Sequence, residues 1–227
     1  MKLFRKWFSL LLGVLLLTAC EEEENCCEDI VDQPTVNHYV AFEVGVEKVY
    51  RIDSIKYDDF SGTVDTLTHW RKELTVETFR DLENRLNYRQ EIYLREDSLA
   101  NWRKLKVRSV FVNESVFELK EDNVVKIKLR YPIKVGRAWD ANLMNTLGEQ
   151  NYSYQSLNAK EDLGWEQFTN LLVVKQIDEE NLIEKQFAEE KYSPNYGLVS
   201  RRDLNIRTSF DGEILSGYDC RWKLVKN

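Results

Sequence analysis

Residues 204–227 read LNIRTSFDGEILSGYDCRWKLVKN. Asp211-Gly212 separates two alternating runs, and a dipeptide of this kind tolerates the positive φ angles of a tight hairpin. In the second run Ile214, Tyr218, Cys220, Trp222 and Leu224 share one face, while Asp219, Arg221 and Lys223 take the other. A side-chain period of two is the mark of a strand buried on one side, so the segment predicts an antiparallel hairpin. Cys220 stands among the inward residues as a small hydrophobe, which favours a buried free thiol over a disulfide.

The same pattern runs back through the chain. In HWRKELTVET (69–78) Trp70, Leu74 and Val76 fall on one face, with Arg71, Glu73, Thr75 and Glu77 opposite. NYRQEIYLRED (87–97) sets Tyr88, Ile92 and Leu94 against Arg89, Glu91 and Arg95. VFELKEDNVVKIKLRYPI (116–133) predicts a hairpin about Glu121-Asp122-Asn123, with Val125, Ile127, Leu129 and Tyr131 on one face and Lys126, Lys128 and Arg130 on the other. A further hairpin is expected in residues 171–192, turning at Asp178-Glu179-Glu180-Asn181. Only DLENRL (81–86) and EDLGWEQFTNLL (161–172) suggest a turn or two of helix. The fold class is therefore mainly β: an antiparallel sheet of successive hairpins, curved or closed to protect its edges, with few short helices. Alternation does not decide between sandwich, half-barrel and full barrel.

The N-terminus carries an address. Lys2, Arg5 and Lys6 precede an apolar run from Trp7 to Leu17, and Thr18 and Ala19 lead to Cys20. A stable membrane span needs about 20 apolar residues, so this shorter run reads as an export signal. Leu17-Thr18-Ala19-Cys20 matches the lipobox, and here the chain resembles a bacterial lipoprotein precursor. The resemblance implies cleavage before Cys20, acyl and diacylglycerol modification of that cysteine, and a membrane partner reached through the lipid. Each buried methylene contributes about 0.8 kcal/mol to such anchoring. No other cofactor is expected.

The run CEEEEN (20–25) has high charge density and no apolar residue between the cysteine and Asn25, so it reads as a solvated tether. An acidic run after the lipidated cysteine also resembles the surface-export signal of Bacteroidota lipoproteins. That likeness implies an outer-membrane protein exposed at the cell surface, with a periplasm-facing orientation as the alternative. The organisation expected is a signal peptide at 1–19, an acidic flexible tether at 20–37 and a single β-rich domain at 38–227.

Two stretches, YVAFEVGVEKVY from Tyr39 and YPIKVGRAWDA from Tyr131, both place Val-Gly after an aromatic start, with Gly45 and Gly136 in matching positions. They suggest a weak internal duplication near 39–50 and 131–141. They are similar to a glycine- and aromatic-containing element of a group of Bacteroidota lipoproteins, and YSPNYGLV (192–199) is similar to a later element of that group, an aromatic-rich approach to Gly-Leu-Val. The first copy has Phe42-Glu43 where that element has Pro-Leu, and Lys48 where it has Trp. The second keeps Pro132 and Trp139. This likeness implies a β-rich exported domain and no particular activity.

Composition narrows the function. The formal charge is −7, and signal cleavage removes three basic residues and no acidic one. Such a chain has no general attraction for nucleic acid, whose binding is driven by Lys and Arg neutralising phosphates. With only His38 and His69, and no Cys-x-x-Cys or His-x-x-x-His spacing, a metal centre is not expected. Asp58, Asp59 and Asp65 around Gly62 are weak calcium candidates, better read as an inter-strand loop. Cys26 and Cys27 lie in the acidic segment, exposed, unpaired or intermolecular.

No Gly-x-Ser-x-Gly elbow, phosphate loop or dinucleotide fingerprint is present. Among the tryptophans Trp102 stands apart, because it alternates with Lys104, Lys106 and Arg108 rather than with Leu105, Val107 and Phe111. If register holds, Trp102 lies on an exposed basic stripe where a ligand or partner binds; a β-bulge would turn it inward instead. The expected role is non-catalytic, a binding or scaffolding domain with a protein or glycan partner at the cell surface. A carrier of lipid or another apolar ligand in a curved-sheet cavity is the alternative, and an extracellular hydrolase the third reading.

Overall fold

The computed structural model describes residues 34–40 and 42–225. The signal segment, Cys20, the acidic run, Cys26 and Cys27 lie outside the described residues. A short helix, α1 (Val36–Tyr39), precedes twelve strands. The first six are β1 (Glu47–Asp58), β2 (Thr63–Arg80), β3 (Leu86–Arg95), β4 (Arg103–Val112), β5 (Val116–Glu121) and β6 (Val124–Arg130). The second six are β7 (Ala138–Asp140), β8 (Asn151–Asp162), β9 (Gln167–Glu180), β10 (Glu184–Ser193), β11 (Gly197–Thr208) and β12 (Ile214–Leu224).

All pairings are antiparallel, in the order β6-β5-β4-β3-β2-β1-β12-β11-β10-β9-β8-β7. The sheet curls until its two edges meet, giving a nearly closed barrel. At this seam the Ile127 amide donates to the Ala141 carbonyl at 2.9 Å. Side chains supply the rest. Trp139 Nε1 donates to the Ile127 carbonyl at 3.0 Å, and Asn145 Nδ2 to the Val125 carbonyl at 2.7 Å. The Tyr154 hydroxyl accepts from the Arg130 amide at 2.8 Å and donates to its carbonyl at 3.0 Å. Edge groups that a ladder would satisfy are thus satisfied by side chains, which removes an open edge.

The two six-strand runs begin alike. Gly45 donates to Thr75 O at 2.8 Å, and Thr75 N to Val46 O at 3.0 Å. Gly136 donates to Tyr154 O at 2.9 Å, and Tyr154 N to Arg137 O at 3.1 Å. Each glycine has positive φ, +91° and +82°, and lies just before the first strand of its run. Tyr39 therefore ends the helix, Val44-Gly45 make a turn, and β1 starts only at Glu47.

Several local expectations change. Val36 is 0 % exposed and its amide donates to Glu114 O, so residues 34–37 belong to the folded body rather than to the tether. Residues 81–85 form a hairpin loop, not a helix, because Asp81 Oδ1 accepts the amides of Glu83 and Arg85. Residues 161–172 are the β8–β9 tip, with Asp162 accepting from the Gly164 amide. The β9–β10 turn sits at residues 181–183, since Asp178, Glu179 and Glu180 pair in the ladder with Phe187, Gln186 and Lys185. The β5–β6 turn falls on Asp122-Asn123, both at positive φ.

The largest correction concerns polarity. On β2 it is Arg71, Glu73 and Thr75 that are buried, and on β6 Lys128 is buried as well. Apolar clusters fill part of the interior. One joins Val36, Tyr39 and Val40 of the α1 region to Val110, Phe117, Leu129, Trp139 and Tyr154. A second joins Tyr50, Ile52, Phe168, Leu171, Val199 and Leu224. Between them the strands turn charged side chains inward. The outward face carries ion pairs such as Arg89–Glu77 and Arg221–Asp219, as a water-facing surface does and a lipid-facing barrel band does not. Among the described residues no helix is long and apolar enough to cross a membrane.

Candidate functional site: a charged lumen

The barrel interior holds a cavity of about 510 Å³. Val40 and Phe42, which follow α1, line it together with residues from both six-strand runs. Six cationic side chains reach it: Lys48, Arg71, Arg108, Lys126, Lys128 and Arg201. Two acids, Glu73 and Glu190, are buried in its wall. The other two acids of the lining, Glu121 and Asp122, are held by Lys106 at 2.5 and 3.3 Å.

Glu73 is clasped from two strands. Arg71 Nε donates to it at 2.9 Å and Arg108 at 2.5 Å. Arg108 also donates to Gln90 Oε1 at 2.9 Å, and Gln90 to Thr75 Oγ1 at 3.2 Å. Burial pushes the Glu73 carboxyl up, but Arg108 and Arg71 outweigh it and hold the group below the usual carboxylate range. Lys48 lies 5.7 Å from the Phe42 ring centroid. Burial lowers its ammonium to about 8, against the attraction of Glu73 and with the repulsion of Arg108.

Glu190, 2 % exposed, anchors the other wall. It accepts from Lys128 Nζ at 2.7 Å and from the Tyr192 hydroxyl at 2.6 Å, with Arg201 at 3.7 Å. Burial alone would raise its carboxyl, yet Lys128 and Arg201 hold it down at about 2. Burial also pulls Lys128 below the usual lysine range despite Glu190. The carboxylate is thus the better satisfied member of the pair. Arg201 is fixed further by Asp203 at 2.9 Å.

Trp222 sits between the two charge clusters, its ring 4.9 Å from the Arg71 guanidinium and 5.4 Å from that of Arg201. The inward face of β12 was legible from alternation, but Trp222 meets cations there rather than a purely apolar core. Cys220 is a half-buried free thiol beside it, and burial raises its pKa.

Trp102 lies elsewhere. The β3–β4 register shifts where Ile92 pairs with Lys106 and Tyr93 with Lys104. This bulge separates Lys104, which bonds outward-facing Glu91, from Lys106, which holds the lining acids Glu121 and Asp122, and from Arg108, which lines the lumen. The expected basic stripe is therefore split. Trp102 is half-buried under Arg95 at 4.4 Å and Lys72 at 5.0 Å, and does not line the cavity.

The aspartates around Gly62 do not converge. Asp58 Oδ1 accepts the amides of Phe60 and Ser61, Asp59 pairs with Arg207 at 2.6 Å, and Asp65 stands opposite Lys56 in the ladder. Among the described residues no group of three or more His, Cys, Asp or Glu is placed to hold a metal. A second groove, of about 620 Å³, opens on the outer face between Phe79, Arg85, Phe111 and Glu118. Within it Arg85 is engaged by Asp81 at 2.9 Å and by Glu118 at 3.2 Å.

Sequence reasoning missed the lumen residues because it took polar strand faces to be solvated. The available signal was the mixed charge of Arg71-x-Glu73 and the run Lys126-x-Lys128 on strands long enough to enclose space.

Neither a protein-family model nor a curated protein sequence matches this chain. Among solved structures it is similar to a "putative lipoprotein" from Parabacteroides distasonis, at 10 % identity and a TM-score of 0.42, over 84 % of this chain and 97 % of that one. A likeness at that level carries no argument about fold or role.

Proposed function

We propose that this chain is a lipid-anchored, exported protein whose barrel is a non-catalytic binding domain and whose ligand site is the lumen. The observation that carries the binding site is the cavity itself. Protein interiors close-pack to crystal-like density, yet here about 510 Å³ is left open within a wall of oriented, ion-paired side chains. That volume is within the range of small-molecule sites, which combine apolar surface with a few fixed polar groups. Phe42, Tyr152 and Trp222 supply the apolar surface. Holding Glu73 and Glu190 inside costs desolvation that a packed apolar core would avoid.

The anchor rests on the lipobox, Leu17-Thr18-Ala19-Cys20, and the outer-membrane, surface-exposed location rests on the acidic run that follows. A glycan or protein partner at the surface fits that location. Labelled palmitate fed to cells tests the anchor: the native chain takes up label and the Cys20→Ser variant does not. Native mass spectrometry of the chain released gently from its own cells tests the lumen. A small molecule of defined mass is expected to accompany it, and a ligand-free spectrum under all release conditions counts against the binding domain.

A further inference from the structure

The lumen is furnished with more donors than acceptors, and two of the donors have no partner. Gln176 is 6 % exposed, and its Nε2 is buried without a hydrogen bond. Arg201 Nε is likewise buried and unpaired, although its terminal nitrogens reach Glu190 and Asp203. Both residues line the cavity. Buried polar groups are nearly always hydrogen-bonded, because leaving one unpaired sacrifices its hydration with no return. Both nitrogens are closed over by their surroundings, so an acceptor seated in the lumen meets them once the Gln176 or Arg201 side chain turns toward it.

The charges around them select the kind of acceptor. Glu73 and Glu190 are already saturated by Arg71, Arg108, Lys128 and Tyr192. Neither acid is left to attract a cation. Lys126 reaches the same region, close enough to Arg201 for the two charges to repel. A neutral sugar would accept from the orphan donors but would leave the cationic surplus unanswered. An alkyl chain would leave both unanswered.

We propose that the lumen receives a small oxyanion, a molecule bearing carboxylate or phosphate oxygens, drawn by the cationic lining around Lys126 and Arg201 and held by Gln176 Nε2 and Arg201 Nε after a turn of those side chains. This deepens the reading of the lumen as a ligand site and rests on it. Trp222, already flanked by Arg71 and Arg201, offers the remainder of such a molecule a flat apolar surface. Charge-assisted bonds of this kind are about twice as strong as neutral ones.

The test is calorimetric titration of the mature chain in detergent with five probes: inorganic phosphate, citrate, glucose 6-phosphate, glucose and dodecanol. Citrate or glucose 6-phosphate is expected to bind at least tenfold more tightly than glucose. Binding of inorganic phosphate alone would assign the site to the free ion, and preference for glucose 6-phosphate over phosphate to an organic phosphate. Gln176→Leu is the informative variant. Removing an unpaired buried donor should leave the ligand-free protein as stable as before or raise its denaturation midpoint. The same change should weaken the anion by roughly tenfold or more. Lys126→Gln should weaken it as well, with the fold retained.

Equal affinity for glucose, or uptake of dodecanol alone, overturns the oxyanion inference while leaving the lumen a ligand site. Heat from none of the five probes, with a ligand-free native mass spectrum, overturns both.

Discussion

Replacing Glu190 by Gln isolates the forces that hold the lumen wall. The variant keeps size and shape but removes the charge that Lys128 meets at 2.7 Å and Arg201 at 3.7 Å. Lys128 is itself buried, so the only hydration left to its ammonium is what the lumen admits. Breaking one partner of a buried pair costs about 3–5 kcal/mol, because the other charge is left uncompensated. For a domain of this size each kcal/mol shifts the melting midpoint by about 2–4 °C, so a fall of about 6–20 °C is expected.

The double variant Lys128→Met, Glu190→Leu removes both charges together, and such replacements of a whole buried pair are often neutral or stabilising. It should recover most of the loss. Urea denaturation of the three proteins at pH 7 provides the measurement. Glu190 also sets a pH signature. Its folded carboxyl sits at about 2, below the ordinary value of 4.5. Its contribution is therefore fully present above the ordinary value and is lost as pH falls toward 2. The gap between native and Glu190→Gln should accordingly narrow between those limits. A single variant within about 1 kcal/mol of native, or a double variant no better than the single, refutes the argument from uncompensated charge.

Tyr154→Phe should cost about 1–3 kcal/mol, because the seam loses the hydroxyl that serves both the amide and the carbonyl of Arg130; faster amide exchange at Arg130 would locate the loss. Gly217→Ala should cost at least about 3 kcal/mol or prevent folding, since the new Cβ would meet the Asn205 carbonyl oxygen at 2.0 Å on a backbone at φ +119°. Native circular dichroism and an unchanged melting midpoint would contradict that. Lys48 should titrate near 8, readable from its side-chain NMR shift. A lysine lowered in the folded state leaves the unfolded chain binding more protons between 8 and 10.5, so the native protein should gain stability on Lys48→Met across that interval. A flat or falling difference across it would show that the group, set between Glu73, Arg108 and Phe42, is not lowered by burial.

Most strands, and the turns at Asp122-Asn123 and Asp211-Gly212, were readable because they depend on local chemistry. Asp122-Asn123 accepts positive φ, and alternation from Tyr218 to Leu224 needs no partner to be seen. Which face turns inward is a different matter. Arg71 and Glu73 look like solvated residues until Arg108, 35 positions from Glu73, closes over them. Lys128 looks equally exposed until Glu190, 62 positions away, meets it. These partners are set by barrel closure, which leaves no trace in a window of ten residues. The bulge that parts Lys104 from Arg108 is hidden for the same reason, since it exists only as a mismatch with β3. The candidate site was therefore almost wholly illegible, although most of its host strands were not.

The position of β1 between β2 and β12 has a consequence for how the chain matures. Every other ladder joins neighbours in sequence, whereas here Tyr50 waits for Leu224 and Tyr57 for Gly217. A chain made from its N-terminus thus displays β1 as a raw edge until its last described strand arrives, and unpaired edges recruit other chains. Termination ahead of β12 would leave an almost complete meander with the β1 border open. Such a product is destined for proteolysis or clumping rather than for partial service.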